Sequence, residues 1–412
     1  MLRSRILGRL FRHGSIKITG PGGQSATFGD GSGPPVAIRI HDRGTCFRLA
    51  FNPKLRLGEA YTDGALTIED GTLYDFLDLC AVNAERINSS RLGRSVLALQ
   101  RMAGRLRPLN RVAAAKQNVA HHYDLSDRLF SLFLDRDMQY SCGYFIDPSD
   151  DIDTVQRQKM RHIAAKLRLA PGQSVLDIGS GWGGLAVHLA RTAGGNVTGI
   201  TLSEAQLAAS RARAAESGLA DCVKFDLRDY RHTRGTYDRI VSVGMLEHVG
   251  PGNYAEFFRR IVDLLADDGV ALIHTIGRAD GPFPNNPWIQ RYIFPGAYCP
   301  ALSQLAPAIE RAGLWLTDVE NLRLHYAETL RLWNRAFQAN RTEIREMYDE
   351  RFCRMWEFYL QGCEIGFRRQ GLTVYQLQLC KTVDALPLTR YYMLDAERDD
   401  IPAQTPPVAA TG

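Results

Sequence analysis

The chain contains no apolar run approaching the roughly 18 residues that cross a bilayer, no Cys-x-x-Cys pair and no internal repeat. The first absence argues against a helical membrane span. The second bears on the eight cysteines, which stand irregularly at 46, 80, 142, 222, 299, 353, 363 and 380. That spacing fits reduced thiols in a cytoplasmic enzyme and speaks against a disulfide framework or a zinc site, so no metal is expected. The start, MLRSRILGRLFRHG, has four arginines and no acid but lacks a continuous apolar core. It therefore reads as a short terminal helix with one oily face rather than a secretory signal.

Acidic residues are scarce in the first third. Residues 1–120 hold 18 Lys/Arg against 9 Asp/Glu, or +9; the remainder holds 32 against 36, or −4, and the two sum to the net +5. Arg86, Arg91, Arg94, Arg101, Arg105, Arg107, Arg111 and Lys116 follow one another without a single acid or aromatic between them. Platforms for single-stranded nucleic acid add aromatic stacking residues, so nucleic acid is not an expected partner. Aliphatic interleaving suits either an anionic lipid surface, at about 1 kcal/mol per Lys/Arg near the headgroups, or a solvated linker.

A length of 412 residues and 45% hydrophobic content imply two soluble domains with sizeable cores. Between Ser15 and Ala50 the alternating runs SIKIT, VAIRI and CFRLA, split by GPGGQSATFGDGSGPP, predict a small antiparallel sheet with a hairpin. Helical patterns follow at 53–65 and 72–84. Residues 1–110 are thus expected to form an α+β domain ending in the basic linker. From 155 onward helices and strands alternate, with strands expected at 174–178, 196–201, 222–226, 238–243, 269–275, 315–321 and 373–381. Helices are expected at 325–339 and 341–368. The alternation predicts an α/β catalytic domain, 111–399, with a doubly wound parallel sheet and its ligand at the carboxyl ends of the strands. The tail 400–412 has a disordered composition.

Residues 175–184, VLDIGSGWGG, carry the most chemistry. A short apolar strand with an acid in it runs into a loop of four glycines and then an apolar helix. Such a turn lets backbone approach a ligand at a helix N-terminus. Gly179, Gly181 and Gly184 also satisfy the dinucleotide pattern GxGxxG. A dehydrogenase, however, wants an acid about 20 residues on, at the tip of the second strand, and NVTGIT ends on Thr201. The acid stands instead at Asp177, and the segment resembles motif I of S-adenosylmethionine-dependent methyltransferases, which implies the Rossmann-like class I sheet.

Further segments resemble one family in order: the cyclopropane fatty acid synthases and mycolic acid cyclopropane synthases. They are NVAHHYDLSDRLFSLFLDRDMQYSCGYF (118–145), GITLSEAQ (199–206), DRIVSVGMLEHVG (238–250), LIHTIG (272–277), PWIQRYIFPG (287–296) and HYAETLRLW (325–333). The resemblance implies transfer of the methyl of S-adenosylmethionine to the cis double bond of an acyl chain, then proton loss and ring closure. It implies a bound bicarbonate as base, held by Cys142, Glu247, His274 and Tyr326 with the backbone amide of Ile276, the imidazole donating as a cation. Tyr123 is implied beside the sulfonium and the carbocation. For the co-substrate it implies Tyr140 and Ser141 over the methionine end and Asp177, Gly179 and Gly181 as the cradle. Thr201, Leu202 and Gln206 are implied at the ribose, and Asp229 near adenine. Singly, each has an ordinary structural explanation: a small buried thiol, a strand-end histidine, a helix-terminal acid, an amphipathic packer. Jointly, in the family's order, they favour a site.

The expected activity is that of a cyclopropane-fatty-acyl-phospholipid synthase, cytoplasmic and peripheral to the membrane. Its expected partners are unsaturated phospholipids of the inner membrane surface, and a homodimer is allowed. A lipid C-methyltransferase that leaves methyl-branched or methylated unsaturated chains is the alternative within the family. A nonenzymatic lipid-binding protein is the alternative outside it.

Overall fold

The computed structural model describes residue 8 and residues 10–89 and 125–399. Tyr123, the basic segment from Arg91 on and the tail 400–412 lie outside the described residues.

The N-terminal unit runs β1 (Ser15–Thr19), β2 (Ser25–Phe28), β3 (Pro35–Ile40), α1 (Arg43–Phe51), α2 (Pro53–Thr62), β4 (Leu66–Asp70) and α3 (Leu73–Ser89). Its strand order is β2-β1-β3-β4. The sheet is mixed rather than antiparallel: β1 and β3 run parallel, with Ile16 opposite Val36 and Ile18 opposite Ile38, while the outer pairs are antiparallel. This register sets Ile16, Val36 and Ile38 side by side in the core. The run CFRLA, expected as a strand, is helical. Asp42 caps α1, accepting from Thr45 N at 2.7 Å and Thr45 Oγ1 at 2.6 Å. Such a cap contributes about 1 kcal/mol and outweighs five residues of alternation. The fourth strand, LTIED, completes the sheet.

The larger unit begins with α4 (Asp127–Ser131) and α5 (Ile152–Lys166), then alternates β5 (Val175–Ile178), α6 (Gly184–Ala193), β6 (Val197–Thr201), α7 (Glu204–Glu216) and β7 (Val223–Leu227). It continues through β8 (Tyr237–Val243), α8 (Tyr254–Leu264), β9 (Leu265–Arg278), α9 (Pro287–Tyr292), α10 (Leu302–Arg311) and β10 (Trp315–Asn321). Helices α11 (His325–Ala339), α12 (Arg341–Met347) and α13 (Glu350–Arg369) precede β11 (Leu372–Cys380) and α14 (Tyr391–Asp399). The seven-stranded order is β10-β11-β9-β8-β5-β6-β7. This is the doubly wound α/β sheet expected, with one difference: β11 runs antiparallel to both neighbours. Gly371, at φ +68°, turns the chain from the end of α13 directly into that strand. The helix expected over 341–368 is two, because Asp349 caps a new helix by accepting from Phe352 N at 2.6 Å.

The units meet on α13. Arg369 bonds Asp78, Arg351 bonds Asp63, and the Tyr61 hydroxyl donates to Glu357. Exposed ion pairs contribute about 0–1 kcal/mol each, so apolar packing decides the contact. Tyr61 of α2 packs on Phe358 at 6.0 Å between centroids, and Phe358 packs edge-on to Trp288, itself 1% exposed. Helix α2 lies so close that a Cβ on Gly58 would meet the indole at 2.6 Å.

Candidate active site

A cavity of about 150 Å³ opens at the carboxyl ends of β5, β6 and β8. Tyr140, Ser141, Asp177, Gly179, Gly181, Thr201, Leu202, Gln206 and Asp229, the nine residues expected around the co-substrate, all line it. The glycine loop explains why. Gly181 has φ +55°, and a Cβ there would meet nothing within 4 Å, so the space beside it is open to the cavity. A Cβ on Gly184 would strike the Asp137 carbonyl at 2.4 Å, so the bare backbone brings segment 137–141 over the helix start. Asp177 Oδ2 and Ser180 Oγ are buried without a partner. Acceptors and a hydroxyl left over beside vacant main chain fit a polar nucleoside.

The polar walls are individually oriented. Thr201 Oγ1 donates to Gln206 Oε1 at 2.9 Å, leaving the amide N–H2 for a ribose. Asp229 is held below the usual carboxylate range: burial opposes this, but Arg231 overrides it with three bonds of 2.8–2.9 Å. Burial pulls His248, also in the wall, down to about 4, so it is neutral.

One further residue stands behind this wall, unmarked by the family motifs. Lys159 of α5 is fully buried and donates to Gln139 Oε1 at 2.7 Å and Ser141 Oγ at 2.8 Å. Gln156, one turn earlier, donates to the Ser141 carbonyl at 2.9 Å. Because Ser141 Oγ accepts from an ammonium, its own proton is free to face the cavity. Burial pulls Lys159 down to about 8, opposed by Asp135, Cys142 and Asp177. Burial also pushes Asp177 up to about 7, and Lys159 is the charge that opposes it. The sequence did hold a signal: Lys159 shares a helical stripe with Ile152, Val155 and Ile163.

Of the residues expected to hold an anion, Cys142, Glu247, Ile276 and Tyr326 come together from separate segments, whereas His274 is engaged by Gln376 of β11. Glu247 and Tyr326 are buried, and Cys142 has no exposure. Tyr326 senses Tyr140, Cys142, Cys363 and Glu247 electrostatically. Glu247 Oε1 accepts from Ile276 N at 2.6 Å, and Oε2 has no partner. Burial pushes this carboxyl up to about 7. The Ile276 amide, expected to serve a bicarbonate, therefore serves Glu247. His274, two residues earlier on β9, pairs through Nδ1 with Gln376 Nε2 at 3.2 Å. Burial first, then Lys159 and Lys166, pull it down to about 3, so it is neutral rather than the expected cation. With Gln376 donating, the imidazole proton sits on Nε2. Burial likewise keeps the thiol of Cys142 and the phenol of Tyr326 protonated.

Aromatic rings pack around Tyr140 and Tyr326. Tyr140 packs on Trp333 at 5.2 Å and Phe130 at 5.3 Å, and its hydroxyl meets that of Tyr359 at 2.7 Å. Tyr326 lies edge-on to Trp333 at 5.8 Å. Tyr359 and Trp333 also went unmarked in the sequence.

The family described as mycolic acid cyclopropane synthetase matches residues 110–377. The chain is 37% identical to the cyclopropane-fatty-acyl-phospholipid synthase of Escherichia coli (strain K12), over 85% of this chain and 89% of that protein. It is 33% identical to the tuberculostearic acid methyltransferase UfaA1 of Mycobacterium tuberculosis, over 92% and 91%. Among solved structures, mycolic acid cyclopropane synthase CmaA1 complexed with SAH and CTAB superposes with a TM-score of 0.61 at 34% identity. That match covers 64% of this chain and 97% of that one.

Proposed function

We propose that this chain, which belongs to the mycolic acid cyclopropane synthetase family and is an S-adenosylmethionine-dependent methyltransferase, is a cyclopropane synthase acting on unsaturated phospholipid acyl chains. The observation that carries this reading is Glu247: a buried carboxyl, with Oε2 unpartnered, on the turn after β8 whose Met245 and His248 line the cavity. Ring closure must release a proton from the transferred methyl, and a buried carboxyl near the donor can take it up.

The chain's residues meet the chemistry in sequence. The alkene π pair forms a bond to the methyl carbon while the carbon–sulfur pair leaves with sulfur. An alkene is a weak nucleophile, so orientation and exclusion of water dominate. Ser141, Gln206 and Asp177 hold the donor; Trp182 and Met138 close the cavity around it. The carbocation left on the acyl chain meets the faces of Tyr140, Trp333 and Phe133. The C–H pair of the transferred methyl then closes the ring and its proton departs. A bicarbonate ion among Cys142, His274 and Tyr326 would supply a proton acceptor there. Tyr326 Oη–H and His274 Nε2–H are neutral donors suited to an anion, and Glu247 Oε2 can take up a proton.

A second reading, C-methylation without ring closure, draws on two observations: the likeness to UfaA1 and the Ile276 amide already engaged by Glu247. Incubation of purified protein with methyl-labelled S-adenosylmethionine and vesicles of an unsaturated phospholipid separates the two. The proposal expects upfield cyclopropane protons in the product and resistance to mild hydrogenation. A methylated alkene or branched chain alone would replace it with the second reading; no labelled lipid of any kind would remove both.

A further inference from the structure

Helix α1 carries two large apolar side chains on its outer side. Thr45 is 1% exposed and Leu49 packs against the N-terminal core. A surface helix built that way presents polar residues outward. This one presents Phe47 and Phe51, 61% and 74% exposed, one turn apart with ring centroids 4.5 Å from each other. They form a single ridge that no described residue covers. Among the described residues, few large apolar side chains are as exposed.

Cations outnumber acids around the ridge, with Asp42 3.8 Å from Arg48 and Glu59 paired with Arg56 at its flanks. Arg43, Arg48, Lys54 and Arg56 lie between Asp42 and Glu59 with no acid among them, and the first three are exposed. Arg48 is steadied by a 2.6 Å bond from Nη2 to Thr45 Oγ1. Aromatic rings at an apolar–polar boundary, ringed by cations, match the interface of a bilayer bearing anionic headgroups. The same charges disfavour a second copy of this chain. A two-fold contact through the ridge would set the same cations against themselves.

We infer that Phe47 and Phe51 form a wedge that inserts into an anionic phospholipid bilayer, with Arg43, Arg48 and Lys54 on the headgroups. The inference rests on the proposed lipid substrate and adds where the enzyme meets the membrane holding it. The wedge belongs to the unit that docks on α13, so seating it in a bilayer fixes the catalytic unit relative to the surface.

The test uses the full chain and vesicles of phosphatidylglycerol and phosphatidylcholine. Both rings are solvent-exposed, so Phe47→Ser/Phe51→Ser leaves the core intact. Vesicle affinity should fall at least tenfold, and turnover on vesicles with it. Turnover on the same lipid dispersed in detergent, and S-adenosylhomocysteine affinity, should stay within twofold. Phe47→Trp supplies an independent readout, a blue-shifted emission on adding vesicles. Unchanged vesicle affinity in the double variant, or an unshifted emission, overturns the wedge while leaving the proposed reaction standing. A change in oligomeric state without a change in vesicle affinity overturns it in favour of self-contact. Should wild type process lipid in neither form, the proposed reaction fails and vesicle binding alone judges the wedge.

Discussion

The cavity over the glycine loop is open and shaped largely by main chain, whereas the surroundings of Glu247 are buried and made of single side chains. In the first, Gly181 and Gly184 act by what they lack, and polar walls are locked by short-range bonds such as Thr201 to Gln206. In the second, Cys142, Glu247, Ile276 and Tyr326 come from a loop, a helical turn, a strand and a helix, and one carboxylate oxygen is left unmatched. Both regions keep polar atoms unpaired, Asp177 Oδ2 and Ser180 Oγ in the first and Glu247 Oε2 in the second. A bound ligand can satisfy the first two, whereas the third is left for a proton, and a buried lone acceptor costs about 1–3 kcal/mol.

Gly181→Val breaks the first region most completely. A β-branched residue is strained at φ +55°, and its methyls enter the open space of the cavity. S-adenosylhomocysteine binding should fall by more than about 100-fold (more than 2.7 kcal/mol), checked by calorimetry; unchanged affinity would mean that this loop does not face the ligand. Glu247→Gln breaks the second alone. Turnover should drop by about 10²-fold or more while S-adenosylhomocysteine affinity holds, and Tyr326→Phe should behave alike. Near-normal turnover in both would take them out of the mechanism.

The contrast sharpens with pH. Glu247, raised to about 7 from an ordinary value near 4.5, makes the folded chain hold a proton that the unfolded chain has released between those values. Its charge thus erodes stability as pH rises from about 4.5 to 7, and the whole penalty, at most about 3 kcal/mol, persists above. Glu247→Gln should therefore raise the urea midpoint at pH 8 and leave it unaltered near pH 4: an inactive protein that is harder to unfold. Equal midpoints at pH 8 would show that the carboxylate finds compensation.

Two smaller substitutions probe the cavity wall. Lys159→Met removes the charge behind Ser141 and opposite Asp177, and should weaken S-adenosylhomocysteine binding about tenfold, the loss of one charge-assisted bond. The loss should be steeper below pH 7, because Asp177 then protonates more readily. A uniform loss across pH would indicate mere repacking. Thr201→Val frees Gln206 Oε1 and should cost about threefold to fivefold in the same measurement.

Legibility followed the same division. The glycine loop, Asp177 and the strand-end positions are contiguous in sequence, so the class I sheet and the cavity lining were readable from it. Lys159 was readable as a cation on an apolar stripe but belonged to no motif. The bond from Ile276 to Glu247 was not readable, because it depends on β9 and the turn after β8 meeting in space. The neutral state of His274 depends on burial, which no spacing encodes. In the N-terminal unit the error was local: alternation in CFRLA imitated a strand, while the Asp42–Thr45 cap marked the helix. The reversal of β11 likewise turned on Gly371, a single residue after a helix end.

Helix α13 has a thermodynamic consequence. One side carries Phe358 and Glu357 toward the N-terminal unit; another carries Tyr359 to Tyr140. Removing the N-terminal unit would uncover the faces of Trp288 and Phe358 that pack on Gly58 and Tyr61 of α2. Exposure of that apolar area raises the heat capacity and lowers the stability of what remains. The two units therefore share one free-energy minimum, and heating should melt them in a single calorimetric peak whose van't Hoff and measured enthalpies agree.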